Sequence, residues 1–405
     1  GRGRGVTATT TQAPAGGAAP NAKQQQVMLK PFRVGAQPID EDVFDRSVTL
    51  NASTQSLDQY NVPSTAYLNG IFILVENTVT TSTATATSTS TGVGVLAEDG
   101  PYNVIDNLRF TDTSSNEIIG EITGWDLYTI NKWGGYAFDD ELERNTDVFS
   151  STTNATASSS ASGSFSFLLR IPVELVPRDA LGSMPNKSSD TPYKVKISVA
   201  AISTVYNNSA TVGGSCRFRM TPESYWEPTA TDGSGNPVAS QPPGVNTLAY
   251  WNKTDYSLSG TTINEQLTNS VGYPIRNLVF VLRDSNKTRS QGESDWPDPF
   301  KLQLQSNIIV NRLKKVWKAR ITRDYGYTAA GDAAGQKDNG VYVLPFNKDF
   351  GPKPGWETRR GYLKTTPGMR FQALATTGGS GAHTFTVLTN YVGVAAGTNL
   401  GALTT

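Results

Sequence analysis

PYNVIDNLRFTDTSSNEIIGEITGWDLYTINKWGGY, residues Pro101 to Tyr136, decides how the chain is read, because a looser copy of it returns later. From Tyr273 the sequence runs YPIRNLVFVLRDSN, and from Phe300 FKLQLQSNIIVNRLKKVWKARITRDYG. Both stretches carry Ile-x-Asn-Leu-x-Phe: Ile105, Asn107, Leu108 and Phe110, then Ile275, Asn277, Leu278 and Phe280. In each, a turn rich in Asp, Ser and Asn follows, then a second strand-like run, then a tryptophan-bearing segment of helical period. Two copies of one supersecondary unit this far apart predict two similar domains in tandem, not a short-period solenoid.

Working outward, 405 residues leave room for two or three domains with real cores. Lys+Arg equals Asp+Glu at 35 each, so bulk charge does not steer the chain toward nucleic acid. Charged residues are only 17%, while Ser, Thr, Asn and Gly abound, which suits many short strands joined by turns. The single cysteine, Cys216, excludes an internal disulfide and any cysteine-based zinc cluster. The single histidine, His383, excludes a His–His metal pair within one chain. No apolar run approaches the ~18 residues a bilayer-spanning helix needs; Leu68 to Val75, LNGIFILV, fits a buried strand instead. The first residues lack a signal-peptide pattern and an initiating methionine, whose removal is the expectation.

Residues 1 to about 26 are low-complexity Gly, Ala, Thr and Gln, a composition that does not bury enough apolar area to order itself. Arg2, Arg4, Lys23, Lys30 and Arg33 make this arm basic, with no acid among its first 33 residues. It reads as a solvated tail or as an arm that meets an anionic surface. Strands are expected over Arg46 to Leu50, Ala66 to Glu76, Ser164 to Val176 and Tyr193 to Ile202, around Cys216, and over Gly340 to Phe346, Arg370 to Ala375 and Thr384 to Val394. The Thr/Ser tracts at 78–91 and 150–162 read as exposed hairpins or surface loops. A first helix is expected over Trp125 to Trp133, bounded by Gly124 and Gly134-Gly135. Pro228 to Val245 has the composition of an interdomain linker or an elaborate loop, and its Asp232-Gly-Ser-Gly-Asn236 reads as a turn.

Asn311 to Arg323 carries the strongest helical signal. Leu313, Val316, Trp317 and Ile321 share one face and Asn311 is placed to cap. The other face holds Arg312, Lys314, Lys315, Lys318, Arg320 and Arg323, charges that turn to solvent or to a neighbouring subunit. The acidic group Asp139, Asp140, Glu141, Glu143 and Asp147 reads as a solvated or interface segment, because adjacent exposed acids do not provide the contrasting environments of a catalytic pair. Cys216 reads as a strand residue and His383 as a strand-end residue, since neither has a nameable catalytic partner. No motif for catalysis, metal or nucleotide emerges. The expectation is a protein without enzymatic activity or cofactor.

At GWDLYTIN, Gly124 to Asn131, preceded by NVIDNLRFTDTSSNEIIGEIT, the chain resembles the major capsid proteins of tectivirus-type phages, icosahedral viruses with an internal membrane. The second half is similar in order: a basic tryptophan-bearing helix with Arg320, Ile321, Asp324 and Tyr325, then Gly340-Val-Tyr342, then closing strands. The resemblance implies an all-β fold with a few short helices, two tandem eight-stranded jelly-roll sandwiches. Their extents are 39–235 and 236–396, with a basic arm at 1–38 and a tail at 397–405. It implies a homotrimer of pseudo-sixfold outline that tiles capsid facets in the virion beside neighbouring capsomers, penton and minor capsid proteins. Assembly is then in the host cytoplasm, without sequence-specific nucleic-acid binding. Arg2, Arg4, Lys23, Lys30 and Arg33 fall on the membrane-proximal side. Asp139, Asp140, Glu141 and Glu143 are expected to face Arg312, Lys314, Lys315 and Lys318 across a subunit boundary. The competing classes are an extracellular two-domain adhesin or carbohydrate-binding protein, and a glycan-degrading enzyme on the same scaffold.

Overall fold

A computed structural model describes residues 28–29, 32–40, 44–78, 96–134, 149–151, 163–175, 180–207, 214–236, 238–239, 249–267, 272–325, 338–346 and 361–393. The first half runs through β1 (Met28–Leu29), α1 (Phe32–Gly35), β2 (Pro38–Asp40), β3 (Phe44–Thr49), β4 (Gln55–Ser56), β5 (Tyr60–Asn61), β6 (Tyr67–Thr78), β7 (Ile105–Thr111), β8 (Glu117–Ile122) and α2 (Gly124–Trp133). It closes with β9 (Phe149–Ser151), β10 (Phe165–Pro172), β11 (Met184–Pro185), β12 (Lys194–Val199), α3 (Ile202–Val205) and β13 (Ser215–Tyr225). After β14 (Val238–Ala239) come β15 (Ala249–Leu258), β16 (Thr262–Gln266), β17 (Ile275–Asp284), α4 (Arg289–Ser294), β18 (Phe300–Leu304), β19 (Asn307–Arg312) and α5 (Lys314–Tyr325). The last strands are β20 (Val341–Pro345), β21 (Phe371–Thr376) and β22 (His383–Val392).

Two sandwiches of one topology result. In the second half the sheets are β15-β22-β17-β20 and β16-β21-β18-β19. In the first they are β3-β13-β6-β10 and β4/β5-β12-β7-β8, with β4 and β5 forming one interrupted strand along β12. Numbered within its own half, each sandwich reads 1-8-3-6 over 2-7-4-5, the eight-stranded jelly-roll order. The first adds β2, β9 and β11 as short partners of β13, β10 and β6. The central β6 shows why the chain folds this way. Leu68, Ile71, Ile73 and Val75 are fully buried, and toward its end, where it lies between β13 and β10, buried and half-buried residues alternate with the period of a strand. Aromatic contacts close the two layers, Phe44 on Tyr60 at 5.2 Å in the first sandwich and Phe280 on Phe300 at 5.1 Å in the second. β8 and β15 meet in parallel at Ile119 and Trp251, so one nine-stranded sheet runs through both sandwiches.

Duplication therefore holds, but not in the register of the Ile-x-Asn-Leu-x-Phe match. β7, with Ile105, is the fourth strand of its sandwich, whereas β17, with Ile275, is the third of the other. The true mate of β7 is β18, and the two helices that follow a fifth strand, α2 and α5, do correspond. The matched apolar residues are alike because both strands lie inside a sheet and bury them, although β7 alternates and β17 is buried over nearly its whole length.

The basic helix also needs correction. Asn311 and Arg312 still belong to β19, so Asn311 does not cap. The Asp298 carboxylate instead accepts the Lys314 backbone N–H at 2.9 Å. The buried face is Trp317, Ile321 and Tyr325, while Leu313 and Val316 are 53% and 44% exposed. Trp317 fills the space above Phe280, Phe300 and Tyr342, and its indole N–H donates to the Val343 carbonyl at 2.8 Å. The first Thr/Ser tract beyond Thr78 lies outside the described residues, and so does most of the second. Trp317→Ala is expected to cost about 3–5 kcal/mol in urea unfolding. Leu313→Ala is expected to stay within about 0.5 kcal/mol; equal losses would contradict this orientation of α5.

Candidate functional site

Described residues of both sandwiches converge around the helix α2, beside the β8–β15 pairing. Thr123 caps it: its hydroxyl accepts the Asp126 N–H at 3.2 Å and the Asp126 carboxylate accepts the Thr123 N–H at 2.9 Å. Gly124 opens the helix because a Cβ there would lie 2.1 Å from the Tyr102 carbonyl oxygen. Nine of its ten residues are buried, since one side packs on its own sandwich and the other on the second.

At its start, Trp125 lies beneath two guanidiniums of the second sandwich, Arg289 at 4.5 Å and Arg283 at 4.9 Å from the ring. Both bind Asp99 of the first sandwich, at 2.7 and 2.9 Å. The neighbouring Glu98 carboxylate accepts the backbone N–H groups of Arg289 and Ser290 at 2.6 and 2.8 Å. Burial opposes ionisation of Asp99, but Arg283 and Arg289 outweigh it and hold the carboxyl below its usual range. In the same first turn, Asp126 takes Lys253 of β15 at 2.8 Å. Burial works against the Lys253 charge, yet Asp126 and Asp255 raise its pKa above the usual lysine value. At the far end Lys132 meets Asp338 at 2.7 Å, and the Trp133 carbonyl accepts the Tyr325 hydroxyl at 2.7 Å and the Asn277 amide at 3.1 Å.

Beside this joint runs a polar cleft. One hollow of about 410 Å³ is lined by Asp106, Arg109, Glu117, Glu121, Lys253 and Asp255. A wider one of about 730 Å³ adds Glu98, Asp99, Arg283 and Lys287. The carboxylates here are largely committed to partners: Glu117 and Glu121 to Arg109, Asp99 to the two arginines, Asp255 to Lys253 and Thr386. Of this charge, Asp99 with the two arginines and Asp126 with Lys253 join the sandwiches, while Arg109 with Glu117 and Glu121 pairs within the first. His383 pairs with Asp295 at 3.0 Å at the start of β22, and Cys216 is fully buried, where burial pushes its thiol far above the usual range. Among the described residues no group of three His, Cys, Asp or Glu is placed to hold a metal ion. Nor is any helix among them long and apolar enough to cross a membrane.

The residues singled out from sequence fall as follows. Arg2, Arg4, Lys23, Lys30, Asp139, Asp140, Glu141 and Glu143 lie outside the described residues. Arg33 is exposed on α1, with its guanidinium 5.7 Å from the centre of the Tyr225 ring. Lys314 and Lys318 reach Glu293 of their own chain at 3.3 and 3.2 Å, and Glu293, although burial opposes its charge, is held below the usual carboxylate range by Lys318 and its hydrogen bonds. Arg312 lies over Trp317 at 5.4 Å, pushed down to about 10 by burial and the nearby Arg320. Lys315 alone of these four stands exposed.

A second buried charge group closes the lower end of β6, β10 and β13. Arg170 donates to Glu223 at 2.5 Å and to the Asn69 carbonyl at 3.1 Å, and lies 3.8 Å from Glu174. Burial lifts Glu174 to about 7 against the pull of Arg170 and Arg33.

No protein-family model matches the chain, and no curated protein matches it in sequence. Its fold is similar to the STIV MCP, with a TM-score of 0.51 at 10% identity over 87% of this chain and 97% of that one. It is also similar to a chain from the atomic structure of Sulfolobus Turreted Icosahedral Virus, at 0.53 and 10% identity over 87% and 91%. The chain has a double jelly-roll fold. The major capsid protein P2 from Bacteriophage PM2 aligns at 0.46 and 12% identity over 86% and 98%.

Arg289→Ala removes one of the two guanidiniums on Asp99 and leaves Arg283 in place; it is expected to cost about 3 kcal/mol and to split one urea transition into two as the sandwiches uncouple. Glu174 has a folded pKa above its unfolded value, so it subtracts stability as pH rises from about 4.5 to 7. Glu174→Gln is expected to recover about 3 kcal/mol at pH 8 and little at pH 4.5, measured as urea midpoints at the two pH values.

Proposed function

We propose that the chain is the major capsid protein of an icosahedral, membrane-containing double-stranded DNA virus and forms homotrimeric tiles of its shell. The observation that carries this is the pair of sandwiches with one topology, joined side by side through a shared sheet and a buried helix. Three such bodies place six similar sandwiches around an axis, so three chemically identical chains present a near-hexagonal outline that packs edge to edge on a flat facet. The similarity to a protein of an icosahedral virus supports the same reading. The residues GWDLYTIN at the joint favour the tectivirus-type branch of such viruses. The basic arm, Arg2 to Arg33, meets the internal membrane, where each cation near anionic headgroups contributes about 1 kcal/mol. Neighbouring capsomers and penton proteins complete the shell.

Light scattering on the native full chain tests this. The expected mass is three times 43.5 kDa, stable on dilution. A monomer at every concentration sinks the reading and moves attention to the adhesin class.

A further inference from the structure

The internal joint is itself a template. The first sandwich offers its fifth strand, β8, and the helix after it, α2, to the first strand of the second sandwich, β15. The same two elements exist in the second sandwich, as β19 and α5, and among the described residues nothing covers them. β19 pairs only with β18. Only three of the twelve residues of α5 are buried, against nine of ten in α2. Setting the helix starts Gly124 and Lys314 level puts Lys315, Val316 and Arg323 where α2 has Trp125, Asp126 and Trp133, its gripping residues.

The surface so left carries apolar side chains beside the exposed Lys315 and Arg323. Ile308, Ile309, Leu313 and Val316 are 56%, 39%, 53% and 44% exposed, four large side chains within nine residues. A β-bulge contributes. Ile309 is the extra residue where Leu302 pairs Val310 and Gln303 pairs Ile308, which lets both isoleucines reach solvent. Four exposed large apolar side chains grouped on one strand and the start of the next helix point to a contact surface.

The complementary edge is also free. β3 is the repeat mate of β15, pairs only with β13 among the described strands, and exposes Asp45, Arg46 and Ser47. We infer that the Ile308–Val316 face of one copy seats the β3 edge of the first sandwich of a second copy, repeating between chains the step that β8, α2 and β15 make within one. The contact is head-to-tail, so successive copies close into a ring when the step divides the circle. This deepens the shell reading and rests on self-assembly.

The test uses the full chain and two double variants, Leu313→Asp/Val316→Asp and Ile308→Asp/Ile309→Asp. All four side chains are exposed in the single chain, so circular dichroism and melting should match wild type. The expected result is a dissociation constant raised roughly a hundredfold, read as mass against concentration. Wild-type trimers with both variants equally stable would overturn the assigned face and leave the shell reading standing. A monomeric wild type overturns both. Unchanged assembly with lost binding to anionic vesicles would give the face to lipid and likewise overturn the inference. If the variants misfold, a mixture of Val316→Cys and Ser47→Cys chains with a short bismaleimide decides, because Cys216 is buried and only inter-copy contact links the two. Absence of the mixed product overturns the seat.

Discussion

The rest of the molecule depends on the stack of Arg289 and Arg283 over Trp125, tied to Asp99. Arg289 is fully buried, so its charge has left water at a cost that only excellent partners offset. It has them: the Trp125 face, the Asp99 carboxylate, and the Asn339 and Glu98 carbonyls at 3.0 and 3.3 Å. Trp125, Glu98 and Asp99 belong to the first sandwich and Arg289 to the second, so these three contacts form only when the sandwiches are docked in one orientation. That geometric demand makes two sandwiches a single unit.

The two helices that follow a fifth strand show how one topology serves two surroundings. In α2 the outward face carries Trp125, Asp126 and Trp133, and it is satisfied inside the chain. In α5 the equivalent positions carry Lys315, Val316 and Arg323, and the inward face alone, Trp317, Ile321 and Tyr325, holds the helix down. Lys314 and Lys318 bend back to Glu293, which neutralises part of the basic stripe and leaves apolar surface as the feature that distinguishes this end.

Much of the fold was legible along the chain. Period-two alternation located β6, β10, β12, β20 and β22, and the glycine boundaries with their tryptophans located α2. β15 and β16 escaped: in AYWNKTDYSL the mid-strand run Asn252 to Thr254 is half-buried, with Lys253 turned to Asp126 at the joint, so no apolar alternation shows. The candidate site was less legible. Asp99-Gly100-Pro101 spells only a turn locally, and Arg283, Arg289, Lys253 and Glu293 carry no local signal, since their partners lie far away in sequence.

By itself the sequence determined that this is a β-rich, charge-balanced chain of two like halves with a helix at matching places. Those properties follow from composition and local periodicity, which each segment carries alone. Only the tertiary structure decided that β7 matches β18 and not β17, that Leu313 and Val316 face outward, and that the acids at Glu98 and Asp99 clamp the second sandwich. Strand order, helix rotation and ion pairing are fixed by neighbours remote in the chain, and burial against those neighbours is what selects among locally equivalent choices.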